Sequence, residues 1–274
     1  MRRALIAACA AAALSSCGGA DTPSAVRAPD VEPQHFILEV GVARTPALAR
    51  PDGDPDALRQ AVRDAPAGPD RRQAMRHAAL GLMYAAEEEA DERAQRRLRR
   101  DSGRYAGRAA SGERDEFQAY LMEFVLVYNA WRSAARNAGR LAERFTTRNR
   151  EAGELYTLMW AIRGEIALEL HEWQAGADAF RYYLGQLDHP LYAYGLWRTA
   201  RCYRGMDRDD DAVQALTEAR DLGCAQEADA AVVRVASIAA RELGNRAVEW
   251  ADGTVRPSTC RVPGAEDGQA SDTP

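Results

Sequence analysis

The sequence predicts an all-α protein built as an array of antiparallel helix pairs. Three observations carry this expectation. Between Asp70 and Gly253 the only proline is Pro190, so almost nothing in that stretch interrupts a helix. Apolar residues there recur three and four positions apart, the period of one helix face. Residues 156–251 also repeat their own pattern with a period near 36 residues. A fixed period of that size is what stacked helical units leave in a sequence.

The chain opens with Arg2 and Arg3, followed by eleven residues of Ala, Leu, Ile and one Cys from Ala4 to Leu14. That run is too short to span a bilayer, which takes roughly 20 apolar residues, and it fits the apolar core of a secretion signal. Leu14-Ser15-Ser16-Cys17 follows. Residues 1–17 therefore resemble a bacterial lipoprotein signal peptide. The resemblance implies cleavage before Cys17, which becomes the first mature residue and carries a diacylglyceryl thioether and an N-acyl group of the palmitate kind. Each buried methylene contributes about 0.8 kcal/mol, and stable anchoring takes more than one chain, so two or three chains suffice without a spanning helix. Gly18 rather than Asp follows Cys17. By the sorting rule of such lipoproteins, this implies the periplasmic face of the outer membrane.

All 36 basic residues are arginine. Without lysine there is no Schiff-base amine, no phosphate-loop lysine and no Ser-Lys dyad. Cleavage after residue 16 leaves 258 residues with 34 Arg against 41 acids, a formal charge of -7. That balance argues against nucleic acid as a partner, because binding the phosphate backbone relies on net positive surface. The length and the 46% hydrophobic content suffice for a sizeable core. Three thiols remain after processing, Cys202, Cys224 and Cys260, and their spacing fits no zinc site.

Residues 17–34 are small, polar and proline-rich and are expected to form a flexible tether. Residues 35–69 form an irregular segment. Its apolar run His35 to Val42 is expected as a short extended stretch or an irregular start packed on helices. Pro46, Pro51, Pro55, Pro66 and Pro69 punctuate it and leave room for one short helix near Asp56 to Asp64. The helical domain covers 70–252, and 253–274 is expected as a disordered tail. Within the domain, Glu87 to Arg100 is almost wholly charged. The acid-first spacings Glu89 to Arg93 and Glu92 to Arg96 suit a solvated helix face, a charged docking site being the alternative.

One repeat unit places Leu196, Thr199, Ala200 and Tyr203 along a first helix, and Ala212, Leu216 and Ala219 along a second. One period earlier stand Trp160, Gly164 and Ala167, then Gly176, Phe180 and Tyr183. Later come Val233, Ala236, Ser237 and Ala240, then Leu243-Gly244-Asn245 and a shorter helix ending in Trp250-Ala251. A further degenerate unit is Leu121, Phe124, Val125 and Tyr128 with Asn137, Leu141 and Phe145. The pattern resembles the tetratricopeptide repeat, a solenoid of helix pairs, with departures at Arg163, Thr199 and Pro190. Gly164, Gly176, Ala200 and Ala212 are the small residues that let paired helices cross at 8 to 10 Å. The resemblance implies a groove lined by the first helix of each pair. It would present Tyr194, Trp197, Arg201 and Arg204, with Arg234 and Arg241 from the next unit. Arginine beside aromatics suits an extended or acidic segment of a protein partner.

Other chemistry is poorly represented. Asp207 to Asp211 with Glu218 has the acid spacing of a calcium loop but carries Ala212 where the loop needs glycine. His35, His77, His171 and His189 match no zinc-protease spacing. Carboxylate pairs such as Glu165 and Glu169 have a spacing that suits acid and base work on a glycan, the alternative being ordinary helix-surface residues. No catalytic residue, metal or cofactor is expected. The expectation is a non-enzymatic, lipid-anchored adaptor binding another envelope protein, the alternative being a periplasmic enzyme or enzyme regulator acting on the cell wall. For the thiols, the helix-pair geometry puts Cys202 late in one helix and Cys224 after the end of its antiparallel partner, about 9 Å apart along the axis. That is too far for a bridge, so if one forms it is expected between Cys224 and Cys260, with Cys202 left as a small buried side chain.

Overall fold

The computed structural model describes residues 31–186, 188–225, 228–244, 247–249, 255–257 and 260. Cys17, the signal segment and the tether up to residue 30 lie outside them. The described chain is helical: α1 (Pro33–Arg44), α2 (Pro55–Asp64), α3 (Pro69–Glu88), α4 (Glu92–Ala110), α5 (Glu116–Trp131), α6 (Ala135–Arg148), α7 (Glu154–Glu169), α8 (Trp173–Phe180), α9 (Leu191–Gly205), α10 (Asp209–Leu222) and α11 (Ala230–Glu242). Two short strands, β1 (Ala247–Glu249) and β2 (Val255–Pro257), pair antiparallel after α11. Among the described residues, no helix is long and apolar enough to cross a membrane.

Local chemistry sets the helix starts. Pro33, Pro55 and Pro69 each open a helix, where the missing N–H costs nothing. Prolines that read as punctuation thus act as initiators. Asp54, Asp91, Asp115 and Asp229 cap α2, α4, α5 and α11 by accepting backbone N–H groups of the first turn. The apolar run from His35 is helix, not an extended stretch, and that helix already begins inside the segment expected as tether. Phe36, Ile37, Leu38 and Val40 are all buried, so α1 is apolar around most of its circumference and shows no helical periodicity to read.

From α3 onward each helix packs on its successor. The odd-numbered helices also touch next-but-one: α3 on α5, α5 on α7, α7 on α9 and α9 on α11. The connections after α7, α9 and α11 reverse through residues in the left-handed region: His171 at φ 58°, Asp207 at φ 56° and Gly244 at φ 78°. The first two turns close alike, with the Glu172 N–H donating to the Ala167 carbonyl and the Arg208 N–H to the Tyr203 carbonyl.

Small residues sit where the helices approach. A Cβ on Gly164 would enter the Phe180 ring, and one on Gly176 would lie 2.9 Å from the Cys202 Sγ. Gly164→Val is therefore expected to destabilise the fold by about 2 kcal/mol or more through overpacking. Gly103, mid-helix in α4, has open space around its Cβ position. Gly103→Ala is expected to stabilise by about 0.5 to 1 kcal/mol through propensity alone. Urea unfolding of both variants checks the pair; equal effects would refute the close crossing at Gly164.

Three expectations are corrected here. The charged run is not one solvated face, because α3 ends at Glu88 and α4 starts at Glu92, placing Glu89 and Arg93 on different segments. Only the outward pair Glu92 and Arg96 matches, at 3.6 Å. Glu87 and Arg99 turn inward and form a buried ion pair at 3.1 Å, with Arg132 alongside. The last half-unit is not a helix: beyond the left-handed Gly244 the chain runs extended as β1. Within the segment expected as a tail, residues 255–257 form β2, which pairs with β1 and packs on α11, and Cys260 is bonded to Cys224; the other residues from 253 on lie outside the described ones.

Candidate functional site

The face built by the odd-numbered helices is covered by the chain's own first helix. Helix α1 packs on α7. The Phe36 ring stacks on Tyr194 of α9 with centroids 5.0 Å apart, and Glu39 accepts from Arg234 of α11 at 2.6 Å. The Arg234 guanidinium also lies over the Phe36 ring. These contacts overturn the expected groove. Tyr194 is fully buried and Trp197 is 5% exposed, because α1 and the neighbouring helices enclose α9 from Leu191 to Ala200. Trp197 spends its indole N–H on Glu242, at 2.7 Å. Arg234 is half-buried and engaged with Glu39 of α1, while Arg241 is exposed near the end of α11.

Beneath this face lies a buried ion pair that the sequence reading missed. Glu165 of α7 accepts from Arg198 of α9 through both carboxylate oxygens, at 2.6 Å from Nε to Oε1 and through Nη2 to Oε2. The Tyr194 hydroxyl donates to the same carboxylate at 2.6 Å. Burial alone would lower the Arg198 pKa, but the adjoining Glu165 carboxylate outweighs it and holds the guanidinium above its ordinary value. Burial, reinforced by Glu165, raises the Tyr194 phenol well above its usual range, so it stays a donor. Glu165 is thus committed to structure and cannot serve the acid and base role considered for it with Glu169. Glu169 accepts from the Trp131 indole at 2.8 Å, and burial raises its pKa. The signal was available in the sequence: one acid, Glu165, inside the largely apolar run from Leu158 to Leu168.

Cys202 lies one turn beyond Arg198 and, among the described residues, is the free thiol, and it is buried. Burial pushes it up to about 12, so it remains protonated at neutral pH and is a poor nucleophile. Among the described residues, no three His, Cys, Asp or Glu side chains converge as a metal site. Asp209, Asp210 and Asp211 form the first turn of α10, where the helix dipole favours acids.

Among several surface cavities, one of about 510 Å³ lies at the C-terminal ends of α7 and α9, lined by Leu168, Glu169, Trp173, Arg198, Arg201, Arg204 and Gly205. Arg198, Arg201 and Arg204 stand three residues apart on α9, and all three line this cleft. They run from the buried floor to the exposed rim. Arg204 pairs with Glu242 at 2.5 Å. Trp173 forms a fixed wall, with Gly205 seated against its ring and the His171 ring edge-on at 4.8 Å. Of the residues expected to bind a partner, the structure brings Arg201 and Arg204 together here and separates them from Tyr194 and Arg234. Comparison with protein-family models, with curated proteins and with solved structures finds no match.

Proposed function

We propose that this chain is an adaptor lipoprotein, anchored through Cys17 to the periplasmic face of the outer membrane, that binds another envelope protein. Its body reads as a tetratricopeptide-like solenoid. The observation that supports this best is the regular stacking of helix pairs, with left-handed turn residues His171, Asp207 and Gly244 spaced 36 and 37 positions apart. Next-but-one packing of the odd-numbered helices accompanies it. The partner surface is the arginine edge of α9, because α1 already covers the face that such arrays ordinarily offer.

Metabolic labelling with a clickable fatty acid is expected to mark the wild type and not Cys17→Ala. Crosslinking of the anchored protein in cells is expected to trap a discrete complex that Arg201→Glu with Arg204→Glu loses while its helical circular dichroism is unchanged. Absence of label in the wild type sinks the anchor; a complex that survives both charge reversals sinks the surface.

A further inference from the structure

The outer helices of the array carry more positive charge than their own acids answer. The odd-numbered helices pack on one another, and α4 and α6 each lie across two of them as a second layer. Helix α4 places Arg96, Arg100, Arg104 and Arg108 at every fourth position, and α6 does the same with Arg136, Arg140, Arg144 and Arg148. All eight are exposed. Each stands two positions from a buried residue (Leu98, Ser102 or Ala106 on α4, Ala138, Ala142 or Thr146 on α6), about 200° around the helix, so both stripes look out of the same layer. Together α4 and α6 hold eleven arginines against three acids, Glu92, Asp101 and Glu143. Glu92 pairs with Arg96, and Asp101 with Arg59 and Arg104. The other six arginines of the stripes enter no side-chain hydrogen bond or ion pair among the described residues. Glu143 and Glu172 line a cavity with Arg136, Arg140 and Arg163, which still leaves arginine in excess there. Like charges four apart destabilise a helix, so each stripe is held against its own repulsion.

We propose that this outer face docks on an anionic lipid surface, with its guanidinium groups against the phosphates of the headgroups. Guanidinium forks match phosphate oxygens, and each stripe offers them along about 18 Å of helix. A protein partner fits this face less well, because protein interfaces centre on buried aromatic or aliphatic anchors. Among the described residues, the large hydrophobic side chains that stand exposed are Phe117 on α5 and Val213 on α10, neither of them on α4 or α6. A single nucleic-acid strand likewise finds no exposed ring on which to stack a base. Fourteen positions separate Cys17 from Val31, the first described residue, and that length reaches at most about 50 Å. Two helix layers are about 20 Å thick, so an anchor at Cys17 keeps this face within reach of its own bilayer. Acyl chains and a basic face then act as two membrane signals on one chain.

The proposal rests on the anchored reading for its location, and its test does without the anchor. Full-length Cys17→Ala protein is sedimented with vesicles of phosphatidylcholine alone or of phosphatidylcholine with phosphatidylglycerol. The apolar run Ala4 to Leu14 is present in every arm, so the neutral vesicles set the baseline. Phosphatidylglycerol is expected to raise the bound fraction, and salt to reverse the rise as the screening length falls from about 30 Å at 0.01 M to about 3 Å at 1 M. Adding Arg140→Gln with Arg144→Gln is expected to weaken the anionic component about tenfold or more, at about fivefold per arginine. Both arginines are exposed and glutamine is a good helix former, so this variant is expected to keep its helical signal. Arg181→Gln with Arg208→Gln removes the same charge from arginines already paired with Asp178 and Asp211, and is expected to leave binding unchanged. Equal binding to neutral vesicles, equal loss in the two double variants, or displacement from anionic vesicles by polyglutamate or duplex DNA at equal charge each overturns the lipid assignment. If the Arg140 and Arg144 variant binds as its parent does while the fatty-acid label still marks the wild type, the docking falls and the anchor stands.

Discussion

Glu165→Gln is expected to cost about 3 to 5 kcal/mol of folding stability, the usual effect of removing one partner from a buried ion pair. The substitution preserves shape but strips the countercharge from Arg198, which is enclosed between α7 and α9 with no solvent to replace it. It also weakens the acceptor of the Tyr194 hydroxyl. Against a total of about 5 to 15 kcal/mol for a typical domain, that loss is large. The double variant Glu165→Met with Arg198→Met removes both charges and leaves only Tyr194 without its partner, a penalty of about 1 to 3 kcal/mol. Urea titration followed by circular dichroism is expected to place the double variant above Glu165→Gln in stability. The reverse order would show that the pair itself contributes most of the energy, not the avoidance of a lone buried charge.

Breaking the Cys224–Cys260 bond is expected to destabilise by about 3 to 4 kcal/mol, since the bridge closes a loop with a sequence separation of 36. Within that loop lie α11 and both strands, so the loss falls on the last helix and its contacts with α9 and α10. Cys224→Ser with Cys260→Ser and the reductant-treated wild type are expected to share one lowered urea midpoint. Reductant is expected to leave the double variant unmoved, because Cys202 is unbridged. A midpoint in the double variant equal to that of the oxidised wild type would refute the constraint.

Helical content was legible because three- and four-residue periodicity and the lack of proline are local properties of the chain. The turn spacing was legible for the same reason: Gly164, Gly176, Asp207 and Gly244 mark crossings and reversals within one unit. Burial of Tyr194 and Trp197 was not legible, because it depends on α1, more than 150 positions away in the sequence. A helix enclosed on all sides, such as α9 from Leu191 to Ala200, also has no polar face to fix its orientation. Glu165 and Arg198 were missed as a pair because each alone looks like an ordinary helix charge, and only packing of α7 on α9 brings them together. Arg201 and Arg204 were found because the exposed end of α9 keeps a polar stripe. The strands after α11 escaped notice because three residues are too few to show a two-residue alternation.

The seat of α1 sets a timetable for folding during synthesis. Glu39 meets Arg234 across 195 residues, and Phe36 waits for Tyr194. At roughly 5 to 20 residues per second, the contact with α11 becomes available only about 10 to 40 seconds after α1 has been made. Until α7 and then α9 follow, Phe36, Ile37, Leu38 and Val40 lack their cover, so the earliest of the described helices is sealed only by much later ones. Any factor that holds the nascent chain open has its natural grip on that apolar segment.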